Sequence, residues 1–290
     1  MTRRQWIRRV ASGLGAGAAA AAGYAWRIEP HWVDFAERRL PIAGLPRELE
    51  GQRLVQLSDL HVGPEVDDDF LVETFRRITA LRPAIVAITG DFVSYREAAH
   101  LGQLRRVIAH VPHGRLATIG VLGNHDYGSD WSQLDVADGV QGTLAGAGVT
   151  VIRNSVAHVS GLQVVGIDDF WSPRFAPQQA LAGRDPRAAS LVLCHNPDAV
   201  DPSPGPAAEP GADPWAGYAG WILSGHTHGG QCRPPFLPPP LLPVRNRRYT
   251  AGAFALSGGR HLYINRGLGY LIRVRFNVRP EVTLFTLTRA

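Results

Sequence analysis

Short apolar runs recur along this chain, and many of them stop abruptly on a polar residue. Leu54–Ser58, Ile85–Thr89, Thr118–Leu122, Val149–Ile152, Leu162–Ile167, Leu191–Cys194, Trp221–Leu223, Leu262–Asn265 and Val282–Leu287 all read as short strands. Between the early runs the apolar spacing becomes helical. Leu71, Phe75 and Ile78 fall at i, i+4 and i+7, behind Asp67-Asp68-Asp69 and ahead of Pro83, which predicts a helix. The three aspartates look like a metal cluster at first glance, but acid in a first helical turn complements the helix dipole, and that is the role assigned to them. A second helix follows Asp130, carries Leu134, Val140 and Leu144, and ends near Gly146 and Gly148. Strands outnumber helices in the second half, so the body is α/β with mixed strand pairing. Asp201–Gly220, rich in Pro, Gly and Ala, reads as a long surface loop. Cys232–Val244 also reads as a loop, but an apolar one, and such loops usually have a partner.

The polar letters at the strand ends carry the chemistry. One strand runs into Asp59-Leu60-His61, the next into Gly90-Asp91, and a third into Gly123-Asn124-His125-Asp126. Two later strands run into His195 and into Gly225-His226-Thr227-His228. In an open α/β sheet, ligands bind beyond the carboxyl ends of the strands, so these residues converge on one rim. Imidazole with carboxylate and amide oxygen, and no thiolate, suits Mn²⁺, Fe²⁺, Zn²⁺ or Mg²⁺. Asp59, His61, Asp91, Asn124, His195, His226 and His228 are more ligands than one catalytic ion takes. Two divalent ions sharing a carboxylate fit better, and such a pair serves in-line displacement at phosphorus. His31, His100, His110, His113, His158 and His261 lie outside the pattern and read as structural or exposed.

As an ordered set, these motifs resemble the calcineurin-like metallophosphoesterase signature over roughly residues 48–287. Gly225–Gln231 and Asn265-Arg266-Gly267-Leu268-Gly269 resemble its YkuE-like branch, which includes exported, membrane-anchored and UDP-2,3-diacylglucosamine-hydrolysing members. The resemblance implies a four-layer α/β/β/α sandwich with two mixed sheets. It implies that Asp59, His61 and His228 hold one ion, that Asn124, His195 and His226 hold the other, and that Asp91 bridges. Hydrolysis would use a hydroxide shared by the two ions, with His125 as general acid or transition-state stabiliser and Asp126 orienting it. Where purple acid phosphatases carry a tyrosine ligand, this chain has Ser94, so a tyrosine-ligated ferric site is not expected. Cys194 and Cys232 read as buried thiols rather than a disulfide.

Charge sharpens the picture. The chain has 290 residues and a formal net charge of +5. Residues 1–27 hold Arg3, Arg4, Arg8, Arg9 and Arg27 and no acid, so the rest of the chain is neutral. A neutral body lacks the excess positive charge of a nucleic-acid binder. Arg3-Arg4 ahead of Trp6-Ile7, then the uncharged Ala- and Gly-rich Val10–Trp26, resembles a twin-arginine signal. Residues 1–27 are thus expected to be an export signal or a membrane anchor, and residues 28–290 an extracytoplasmic, monomeric domain. Residues 226–290 hold ten arginines and one acid. Among them Arg233, Arg245, Arg247 and Arg248 flank the apolar loop, an arrangement suited to a lipid phosphate or a membrane surface. The expected substrate is therefore a lipid-linked or nucleotide-sugar phosphodiester or pyrophosphate, such as UDP-2,3-diacylglucosamine, although that substrate is cytoplasmic. The alternatives are a broad phosphomonoesterase and a non-catalytic, surface-tethered metal-binding protein.

Overall fold

The computed structural model describes residues 1–201, 215 and 217–290. All nine expected strands form, with boundaries within two residues of the apolar runs. They are β2 (Arg53–Leu57), β3 (Ile85–Thr89), β4 (Ala117–Val121), β5 (Thr150–Val151), β7 (Leu162–Ile167), β8 (Ser190–Cys194), β9 (Trp221–Ser224), β11 (His261–Ile264) and β12 (Glu281–Arg289). Three further strands, β1 (Asp34–Ile42), β6 (Ser155–Val159) and β10 (Gly252–Ala255), lie at sheet edges. One sheet has the order β1-β12-β2-β3-β4-β5 and the other β10-β11-β9-β8-β7-β6. In the first, β2, β3, β4 and β5 run parallel and β12 runs against β2; in the second, β7, β8, β9 and β11 run parallel. The carboxyl ends of β2, β3 and β4, and those of β8 and β9, therefore open on one rim.

The two sheets pack face to face. Leu54, Ile85, Ala87, Ile119 and Val121 of the first form one apolar cluster with Val164, Leu191, Leu193, Leu223 and Tyr263 of the second. Burying an aliphatic side chain of this size contributes about 1.5–3 kcal/mol, so this layer holds the two sheets together. Gln56 spans it, donating to Thr89 Oγ1 at 3.0 Å and to Ser224 O at 2.9 Å. Outside the first sheet lie α2 (Asp68–Ala80), α3 (Ala99–Ile108) and α4 (Leu134–Gly146), whose apolar faces share a cluster with β2 and β3. Outside the second lies a thinner layer containing α5 (Pro177–Ala182). The result is the expected layered sandwich.

Asp67 caps α2 by accepting from Asp69 N at 3.0 Å, so the acidic run serves the helix terminus. α4 starts later than its sequence suggests, because Asp130 folds back to accept from Ser132 N. The Asp201–Gly220 reading falls mostly outside the described residues. Trp215 and Tyr218 within it are buried against the second sheet, so these positions are core rather than surface. Helix α1 (Arg3–Arg27) covers the basic segment and is exposed over most of its length, with Ala25 buried at its end. Among the described residues no helix is long and apolar enough to cross a membrane.

Candidate metal centre

Each of the five parallel strand ends delivers its first ligand within three residues of the last paired position, and the backbone must turn sharply to do so. Asp59, His61, Asp91, His226 and His228 all have left-handed φ, between 50° and 71°. Non-glycine residues rarely adopt this region, at roughly 1–3 kcal/mol each, so the fold concentrates strain where ligand atoms must face inward. Gly90, at φ 90°, permits a close approach: a Cβ there would lie 2.6 Å from Gly123 N and 2.7 Å from His195 Nδ1.

The side chains meet in two overlapping groups. In the first, His61 Nε2 is 3.0 Å from His228 Nε2, which lies 3.3 Å from Asp59 Oδ1. In the second, His226 Nδ1 is 3.0 Å from Asn124 Oδ1 and 3.3 Å from His195 Nε2. Asp91 Oδ2 touches both, 3.5 Å from His61 Nε2 and 3.1 Å from His195 Nε2. All seven predicted ligands are therefore brought together, and the carboxylate expected to bridge is the one shared.

The outer nitrogens test whether these residues fit metal ions. His195 Nδ1 bonds Thr89 O at 2.6 Å and His226 Nε2 bonds Pro243 O at 2.8 Å. Carbonyls only accept, so the hydrogens sit on those nitrogens and the inward nitrogens present lone pairs when neutral. Lone pairs and carboxylate oxygens facing one another at about 3 Å repel unless a cation lies among them. The residues fit a binuclear centre. Ser94 Oγ, where the tyrosine of other families would stand, instead pairs with His61 Nδ1 at 2.9 Å and fixes that ring.

Electrostatics agree. Burial drives His61 and His226 down to about 3, and His228 also well below the ordinary histidine range. These imidazoles are neutral and ready to coordinate. Burial would lower His195 too, but the adjacent Asp91 carboxylate overrides it and raises it well above the ordinary value. Burial, reinforced by Asp91 and opposed by His195, raises Asp59 to about 6. Without metal, then, a protonated His195 neutralises Asp91, and a metal ion must displace that proton. Metal titration of the chelator-treated protein at pH 7.5 is expected to release about one proton per chain. The release should grow as pH falls below about 6, where Asp59 also starts protonated. Calorimetry in buffers of different ionisation enthalpy measures this, and heats independent of buffer would contradict it.

The remaining predicted residues divide. His125 is part-exposed; its ring lies 5.0 Å from the His61 ring, and its backbone N–H donates to Asp91 Oδ1 at 2.9 Å. Asp126 corrects the expectation that it orients the His125 imidazole. Its carboxylate instead accepts from Phe92 N, Val93 N and Gly123 N at 2.9, 3.2 and 2.9 Å. A buried carboxylate takes the nearest unpaired amides, and here those belong to the two ligand loops, so Asp126 positions backbone. The four arginines are exposed. Arg247 donates to Pro239 O, while Arg245 and Arg248 lie over the Phe170 and Phe254 rings. Among the described residues none of the four makes an ion pair or bonds a ligand side chain. Both cysteines are free; Cys194 is buried and Cys232 half-buried.

Sequence reasoning missed Asp169, although the signal was present: β7 also ends on aspartates, Asp168-Asp169. Asp169 is fully buried, accepts from Trp171 N, and is raised by burial to about 7. Gly267 and Gly269 belong to the Asn265–Gly269 motif. They press on Asp59, with Gly269 N donating to Asp59 O at 2.7 Å and Leu268 N to Ser58 O at 3.0 Å. Buried Arg275 holds that loop through the carbonyls of Arg266, Gly267, Gly269 and Val278.

Comparison with known proteins places this geometry. A sequence-family model described as calcineurin-like phosphoesterase matches residues 52–230. The chain is 31% identical to a Bacillus subtilis protein named uncharacterized metallophosphoesterase YkuE, over 99% of this chain and 98% of that one. It is 30% identical to the phosphodiesterase YaeI of Escherichia coli, over 99% of each. It is 26% identical to the UDP-2,3-diacylglucosamine pyrophosphatase LpxG of Chlamydia trachomatis, over 90% of this chain and 91% of that one.

Proposed function

Because the chain belongs to the calcineurin-like phosphoesterase family and is a metal-dependent phosphoester hydrolase, we propose that it cleaves a phosphodiester or pyrophosphate bond in a lipid-linked or nucleotide-sugar substrate. UDP-2,3-diacylglucosamine is the named candidate, supported by the likeness to LpxG. One observation carries the lipid part of the reading. The apolar loop that exposes Phe236, Leu237 and Leu241 is tied to the centre itself, since Pro243 O holds His226 Nε2. Leu271 and Ile272 are exposed as well, and Gln231, just ahead of the loop, donates to the carbonyl of Ile272. An apolar edge fixed to a ligand suits a substrate that arrives with acyl chains.

Asp59, His61, Asp91, Asn124, His195, His226 and His228 would hold two divalent ions, which would supply Lewis acidity and bring the pKa of bound water towards neutral. The chain supplies the rest. Thr89 O, Pro243 O and Ser94 Oγ fix three ligand rings, and Asp126 and the glycine turns hold the loops. His125, the most open histidine of the group, stands where it can give a proton to the departing oxygen. The arginines beside the loop, among them Arg245 over the Phe170 ring, offer charge to phosphate groups of a bound substrate.

The test is a hydrolysis screen of metal-reconstituted protein. Turnover of bis-p-nitrophenyl phosphate and a UDP-linked lipid sugar is expected to exceed that of p-nitrophenyl phosphate. Preference for the monoester would favour the phosphomonoesterase reading, and no turnover would favour the tethered binding protein. The same reading includes twin-arginine export of a monomeric body, released or held at the outer membrane surface by α1. Replacing Arg3 and Arg4 together with lysine is expected to leave the protein in the cytosol, as fractionation would report; unchanged export would remove the twin-arginine route.

A further inference from the structure

Two tryptophans that the metal chemistry does not use stand over the site. Trp131 follows the turn carrying Asn124 and His125, and Trp171 follows β7. Their rings stack, with centroids 4.8 Å apart and planes 21° from parallel. Trp171 sets its ring at 82° to His226, 4.5 Å away, and Trp131 lies 6.2 Å from the His125 ring. The pair thus reaches from the open histidine beside the first sheet to a ligand on the second. Both rings are only part-buried.

Their backbones are held deliberately. Trp131 has φ 62°, a region that bulky residues avoid, and its N–H is tied to Gly128 O at 3.3 Å. The N–H of Trp171 is tied at 2.8 Å to Asp169, whose carboxylate is fully buried. A large aromatic kept in a disfavoured conformation, and still open to solvent, is not explained by packing.

We propose that the Trp131–Trp171 pair is a stacking platform for a planar aromatic part of the substrate, of nucleobase type, beside the phosphate undergoing transfer. The inference rests on the phosphoesterase reading, which seats phosphate on the ligand cluster. A group joined to phosphorus through an oxygen facing His125 meets Trp131 next. Indole faces stack on any base, because every base offers a π face, so the platform selects planarity rather than base identity. An acyl chain would gain contact area there but no stacking.

Equilibrium binding to the manganese-loaded full chain tests this without requiring turnover. Uridine 5′-monophosphate and ribose 5-phosphate share the sugar and phosphate and differ by the base. The wild-type chain is expected to bind the first about tenfold more tightly or better, with quenched tryptophan emission. Trp131→Ala should collapse the difference, and Trp131→Phe, which keeps a stacking face, should preserve most of it. Equal binding of the two ligands by the wild-type chain would overturn the platform and leave the phosphoesterase reading standing. A preference for decyl phosphate over uridine 5′-monophosphate, abolished in Trp131→Ala, would overturn it in favour of an acyl contact. Failure of all three ligands to bind would overturn both readings.

Discussion

Asp91→Asn is expected to lower turnover at least about 10³-fold and to reduce the bound metal below two ions per chain. Among the described residues, Asp91 is the carboxylate that approaches ring nitrogens of both ligand groups, at 3.5 Å from His61 Nε2 and 3.1 Å from His195 Nε2. Its other oxygen accepts the backbone N–H of His125. Asparagine keeps the shape but offers one neutral oxygen and an N–H pair, which must face either the cluster or the His125 amide. An ion's stabilisation of transition-state charge amounts to several kcal/mol, and each 1.4 kcal/mol is about tenfold in rate. Burial and the charges of His195 and His125 compete on this carboxyl, and the charges win, holding it well below the usual range. Its charged form is thus favoured, and the variant removes that charge. Kinetics with elemental analysis of the same sample gives the answer; two ions and undiminished turnover would refute the bridging role.

His125→Ala is the second large effect, about 10²- to 10⁴-fold in turnover with two ions retained. The backbone N–H to Asp91 survives the substitution, so the cluster should keep its geometry. The dependence on leaving group separates the two roles assigned to this ring. A proton donor matters most for an alkoxide or sugar oxygen and least for nitrophenolate, which departs without a proton. The loss should therefore be larger on an alkyl ester than on bis-p-nitrophenyl phosphate. An equal loss on both would assign His125 to transition-state charge stabilisation, and no loss on either would remove it from the reaction.

What could be read in the letters follows from burial. β2, β3, β4, β8 and β9 lie between layers and are mostly apolar, so both their existence and their polar stops were visible. The ligand set was visible because each of its members sits directly behind such a run. Edge strands gave no comparable signal. β1 carries Glu37, Arg38 and Arg39 on exposed positions and tolerates Pro41 because an edge leaves one side unpaired. β6 and β10 are short and half-exposed. α3 has no side-chain cap to announce it. At the site, identity was legible and hydrogen-bond allocation was not. His125-Asp126 are adjacent in sequence, which suggested a carboxylate–imidazole pair, but three amides from Phe92, Val93 and Gly123 reach the carboxylate first. The aromatic pair over the site joins Trp131 to a residue forty positions away, a proximity that no local pattern encodes.

The allocation of ligands between the sheets has a topological consequence. His61 and His228 meet across 167 residues of chain, and Asn124 meets His226 across 102. Each ion would act as a cross-link between the two sheets at the carboxyl-terminal rim of their parallel strands. Because the unfolded chain offers no preformed ligand group, binding of the ions would stabilise only the arrangement in which the two sheets are docked. Neither sheet can assemble a complete ligand group alone. The centre therefore forms last, when both halves have docked, and hydrolytic competence reports on the completion of tertiary structure.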